Sequence, residues 1–166
     1  MDVLVAQARH SVLIIGVNLE GALPCVSTLL DLVRAGGRYG LPRWTRTVLR
    51  SRWPPRWPAS IRPYDVRRSS KIWSCCAQSS TRLDAPTRQR ITLVVSDRVL
   101  PVGVVGLDER ARGGSLIVQH YLTATPAELA PLIWLRPERD QPWFTRYLGQ
   151  CEACLAGAHV WEGTNA

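Results

Sequence analysis

Ser11-Val-Leu-Ile-Ile-Gly-Val17, followed after a short turn by Pro24 to Ala35 and then Gly36-Gly37, decides the fold class of this chain. The first run is apolar and rich in β-branched residues, the composition of a strand buried in a parallel or mixed sheet. In the second, Val26, Leu29, Leu30 and Val33 recur at the spacing of one helical face. Pro24 suits a first helical turn and Gly36-Gly37 a C-terminal stop. Strand, helix and Gly-Gly together predict an α/β protein, with a second parallel strand directly after Gly37.

Upstream, Val3 to Arg9 reads as a short helix leading into the first strand. Downstream, Arg38-Tyr-Gly-Leu-Pro-Arg-Trp-Thr-Arg46 has neither alternation nor an apolar run, and Arg52-Trp-Pro-Pro-Arg-Trp-Pro58 is incompatible with a helix or a central strand. Order returns at Arg90. The runs Ile91 to Val95, Val102 to Leu107, Ser115 to Leu122 and Pro131 to Leu135 predict four further strands, with Asp108 to Gly114 as a polar turn. One helical turn is expected over Pro126 to Ala130. A closing helix, Pro142 to Ala156, is expected to place Trp143, Tyr147, Cys151 and Cys154 or Leu155 on one face.

The 166 residues suit one domain spanning the whole chain, and the net charge is +8. That charge is not spread evenly. Between residues 38 and 90 stand thirteen Lys and Arg against Asp65 and Asp84, a balance of +11, while the remainder carries −3. The same stretch holds four of the seven Trp and half the Pro. It reads as an aberrant, disordered basic segment inside an otherwise mildly acidic domain. Two explanations fit. One is a GC-rich coding sequence read in the wrong frame: Trp is always TGG and Cys TGT or TGC. Grouping each preceding third base with the next two therefore turns Trp44, Trp53, Trp57, Trp73, Cys75 and Cys76 into aliphatic residues or Met. In that frame Pro42 to Val48 can read as a strand end and turn, and Ile72 to Ala85 as an amphipathic helix. The other is a genuine basic, Trp-rich insertion. There, Arg43, Trp44, Arg46, Arg50, Arg52 and Arg56 would stack on bases and contact phosphates of a nucleic acid.

Three stretches carry a family resemblance: Ala8-Arg-His-Ser-Val-Leu-Ile-Ile-Gly16, Leu32-Val-Arg-Ala-Gly-Gly37 and Asp97-Arg-Val-Leu-Pro-Val-Gly-Val-Val-Gly106. With Pro142-Trp-Phe-Thr-Arg-Tyr147 as closing helix, they resemble the phospholipase D-like family over about two thirds of the chain. The nearest likeness is to divergent domains behind helix-turn-helix segments in actinobacterial transcription regulators. The resemblance implies a mixed sheet flanked by helices. Active members carry H-x-K-x-x-x-x-D and a later Gly-Ser, because phosphodiester transfer needs a His nucleophile, a Lys for the phosphate oxygens and an Asp. The matching positions here are Pro101, Gly103 and Asp108, with Gly114-Ser115 as the later element. Pro offers no nucleophile and Gly no charge, so the resemblance implies a pseudoenzyme: a non-catalytic regulatory or ligand-sensing module, and a truncated or frameshifted copy, since no helix-turn-helix is read here.

Other candidates are weaker. His120 would serve a phosphodiesterase only if a second chain rebuilt the site in a homodimer. Cys151-x-x-Cys154 with His159 lacks the fourth ligand of a structural zinc site and reads as core packing. His10 is expected at the surface, Asp108 as an ordinary turn residue, and Gly36-Gly37 and Gly113-Gly114 as turns. No metal or cofactor is implied. An unknown ligand and a DNA-binding protein or domain are the expected partners. Without an apolar run of membrane-spanning length, and with neither a signal-peptide pattern nor a disulfide framework in its five Cys, the expected location is cytoplasmic. Sequencing the source DNA tests the frame explanation: it requires an open alternate frame across residues 38–90, and a stop codon there eliminates it.

Overall fold

The structure is a computed structural model that describes residues 2–16, 26–38, 46–51, 84–85, 89–96, 102–122 and 129–160. These build a mixed α/β fold. Helix α1 (Asp2–Val5) leads into β1 (Val12–Gly16), followed by α2 (Val26–Arg38) and β2 (Arg46–Ser51). Then come β3 (Ile91–Ser96), β4 (Val102–Leu107), β5 (Ser115–His120), β6 (Leu132–Leu135), α3 (Trp143–Ala156) and β7 (Ala158–Val160). All seven strands join one sheet in the order β6-β5-β4-β1-β2-β3-β7. The run β1, β2, β3 is parallel, and β4, β5, β6 and β7 each lie antiparallel to a neighbour. No described helix is long and apolar enough to cross a membrane.

Strand alternation sorts the core onto two faces. Leu13 and Ile15 of β1 join Val102, Val104, Leu116, Val118 and Leu135 beneath Phe144, Cys151 and Cys154 of α3. Val12 and Ile14 point the other way, to Leu107 and Ile117 and to Val5, Ala8 and Leu29 beside α1 and α2. β1 is buried along its whole length because helices cover both of its faces, which is why it reads as an unbroken apolar run.

Four expectations need correction. The second parallel strand is present, but eight residues beyond Arg38, as β2 inside the segment expected to be disordered. Val48 pairs with Ile14 on one side and Leu93 on the other. Thr-Val-Leu at its centre has adequate strand propensity, and two ready parallel neighbours supply the ladder. The helix α2 runs through Gly36-Gly37 to Arg38 instead of stopping there. The chain does not end its fold with α3, because β7 returns to pair with β3. Finally, α3 buries Phe144 and leaves Trp143 55% exposed, so the inward face is set by Phe144, Cys151 and Cys154. The helical turn expected over Pro126 to Ala130 lies largely outside the described residues, as does most of the segment 38–90.

Leu116 is fully buried at the centre of the α3 face. Leu116→Ala should therefore cost about 3 kcal/mol, read as a lower urea midpoint at unchanged slope. A change within about 0.5 kcal/mol would contradict the packing.

Candidate functional site

Two of the positions matched above to H-x-K-x-x-x-x-D, 103 and 108, fall on β4 and the turn after it. Gly103 is the second residue of β4; Asp108 follows its last residue. Five residues of extended chain separate them, about 16 Å along the strand. The two positions therefore lie at opposite ends of the sheet, and Pro101 lies just outside the described residues.

At Gly103 a side chain would have to push aside the end of the Tyr121 ring. A Cβ built there would stand 2.9 Å from the Tyr121 hydroxyl oxygen. Tyr121 follows β5 directly and occupies the space that a lysine would need in this register. His120 does not compensate. It pairs with Val102 and belongs to the α3 face, where its Nε2 lies 3.1 Å from the Tyr147 hydroxyl with the rings edge to face at 6.2 Å. Gly103 has the parity of Val105 and Leu107, on the α1/α2 face. Within one chain, His120 and the motif's lysine position thus sit on opposite sides of the sheet.

Asp108 is more than an ordinary turn residue. It adopts a left-handed backbone with φ of 49°, which Asp tolerates better than most residues. Its carboxylate accepts three consecutive backbone N–H groups: Arg9 at 2.8 Å on Oδ2, and His10 at 2.6 Å and Ser11 at 2.7 Å on Oδ1. Its own N–H donates to the Ser11 carbonyl at 2.9 Å, extending the β1–β4 ladder. Next door, the Ser11 hydroxyl donates to Glu109 Oε2 at 2.9 Å. The carboxylate thus joins the turn after α1 to the β4–β5 hairpin, almost a hundred residues away in sequence. The hairpin closes tightly behind it. The Ala111 N–H donates to the Asp108 carbonyl at 2.8 Å, Gly113 takes a φ of +81°, and any side chain at Gly114 would run into that same carbonyl. This closure accounts for Gly114, and the buried Ser115 then opens β5.

Beside the clamp lies an open depression of ≈ 680 Å³, lined by Arg9, His10, Asp108, Arg112 and Gly113 among others. Two further carboxylates bond close by: Glu109 accepts the Ser11 hydroxyl, and Glu138 accepts the Gly113 N–H at 3.1 Å. His10 is exposed, as expected.

Cys151 and Cys154 are buried free thiols under the sheet. Burial first, then Cys154, Glu109 and Glu152, pushes the Cys151 thiol up to about 12, so it stays protonated and unreactive at neutral pH. Among the described residues no three His, Cys, Asp or Glu side chains converge as a metal set. Of the arginines considered for nucleic acid, Arg46 and Arg50 stand on β2, opposite Val12 and Gly16 in the ladder of an interior strand. Arg43, Trp44, Arg52 and Arg56 lie outside the described residues.

Two predictions follow from this geometry. Asp108→Ala leaves three N–H groups without their acceptor and should cost about 2 kcal/mol in urea unfolding. Asp108→Gly loses the same clamp but relieves the left-handed backbone, so it should be about 1 kcal/mol less harmful than Ala. Equal losses, or none, would remove the clamp from the account. Iodoacetamide at about pH 8 should alkylate Cys151 only after denaturant is added, and labelling of the native protein at a free-thiol rate would contradict its burial. Comparison of the chain with family models, curated proteins and solved structures finds no match.

Proposed function

We propose that this protein is a non-catalytic phospholipase D-like domain acting as a regulatory or ligand-sensing module. The observation that carries the reading is the displacement of the motif's chemistry by structural contacts. The Tyr121 hydroxyl stands against the place of the lysine side chain at Gly103, and the Asp108 carboxylate is engaged by three backbone N–H groups. His120 stands on the other face against Tyr147, so it and the Gly103 position lie on opposite sides of the described sheet. The concavity beside the clamp supports the sensing half of the proposal. A ligand settling against Arg9, His10 and Arg112 would touch both ends of the junction between α1 and the β4–β5 hairpin. A DNA-binding protein or domain is the partner through which such a module would act.

The test is metal-free incubation with bis(4-nitrophenyl) phosphate. The wild-type chain should release nitrophenolate no faster than buffer, and His120→Ala should behave identically. Metal-independent hydrolysis that disappears in His120→Ala would replace this reading with a phosphodiesterase whose site is completed by a second chain.

A further inference from the structure

The two edges of the sheet differ. On one side β7 is three residues long and presents an exposed His159. On the other, β6 presents Leu132, Ile133 and Trp134 at 58%, 41% and 40% exposure. Among the described residues no strand pairs with the outer side of β6, and an apolar edge strand with open backbone groups is a template for pairing with another strand. We infer that β6 is a self-association edge, pairing antiparallel with β6 of a second copy about a two-fold axis at Ile133.

Hydrogen-bond parity supports a second copy. The His120 N–H donates to the Pro131 carbonyl at 3.4 Å, and the β5–β6 register continues this pairing as Gln119 with Leu132 and Val118 with Ile133. In an antiparallel ladder the bonded pairs alternate. Pro131, Ile133 and Leu135 therefore turn their backbone groups toward β5, while Leu132 and Trp134 turn theirs outward. A two-fold axis normal to the sheet keeps each face on its own side, so it pairs residues of like parity. With the axis at Ile133, Leu132 bonds Trp134 of the second copy and Trp134 bonds its Leu132, giving four backbone hydrogen bonds with no outward group of either residue left over.

The side chains agree with this register. Leu132 and Trp134 share the α1/α2 face, beyond the reach of those helices, whose cluster extends across the sheet only to Ile117. In the pair, each Trp134 lies beside a Leu132, a favourable aromatic–aliphatic cross-strand contact. Arg136, with its guanidinium carbon 5.5 Å from the Trp134 ring centroid, flanks this face. Moving the axis to Trp134 would need the Arg136 N–H, which already donates to Asp140 at 2.8 Å. A four-residue strand buries little area, so the dimer belongs with small interfaces and a dissociation constant on the order of 10 μM.

Sedimentation equilibrium over about 1–300 μM, bracketing that constant, should show a reversible monomer–dimer equilibrium. Trp134→Lys, with unchanged circular dichroism, should weaken it at least about tenfold. Register is read by cysteine cross-linking in a Cys25→Ser, Cys75→Ser, Cys76→Ser background. Ile133→Cys faces itself in a non-bonded pair, with Cα atoms about 4.5 Å apart, and should oxidise to a disulfide dimer. Leu132→Cys and Trp134→Cys should not, because each faces the other residue. A monomer at every concentration, a dimer indifferent to Trp134→Lys, or cross-linking through 132 or 134 in preference to 133 would each overturn the inference.

Discussion

Three consecutive N–H groups, those of Arg9, His10 and Ser11, would be left without a protein acceptor at the entrance to β1 were it not for the Asp108 carboxylate. A chain leaving a helix for a buried central strand must change direction sharply, and the amides exposed by that change need partners. A carboxylate meets the need with charge-assisted bonds and without another strand. Because β1 pairs with β4 on one side and β2 on the other, its entry point sets the register of the parallel and antiparallel halves of the sheet alike. The left-handed backbone at Asp108 and the bare Gly114 are what allow the hairpin to present that carboxylate.

The same interaction bears on the positions that resemble the phospholipase D-like motif. An acidic residue at the end of a strand is equally available for chemistry or for tying backbone together, and here its oxygens are bonded at 2.6–2.8 Å to main chain. At the other end of β4, Gly103 leaves a space that Tyr121 fills from just beyond β5. With an aromatic hydroxyl there, any side chain at position 103 has to displace it.

Much of this architecture was legible in the residues. β1, β3, β4 and β5 are apolar runs rich in Val and Ile, and β4 begins and ends where its pattern does, at Val102 and Leu107. What escaped notice did so for identifiable reasons. β2 has arginines at positions 46 and 50 and Trp–Pro sequence close behind it, so its local signal is poor, and its existence depends on two neighbours brought in from afar. β7 has only three residues, too few for periodicity to register. Phe144 and Trp143 compete for the inward position at the start of α3, and sequence spacing alone misassigned it. The Asp108 clamp had a partial signal, an Asp opening a Gly-Gly hairpin, but its partners are 97 to 99 residues distant and nothing local names them.

The most direct test of the clamp is amide hydrogen exchange at Arg9, His10 and Ser11, compared between the wild-type chain and Asp108→Ala. The account predicts slow exchange at all three in the wild type, with selective loss of protection in the variant while Leu13 to Ile15 stay protected. Fast exchange at these amides in the wild type, or protection that survives in Asp108→Ala, would contradict it.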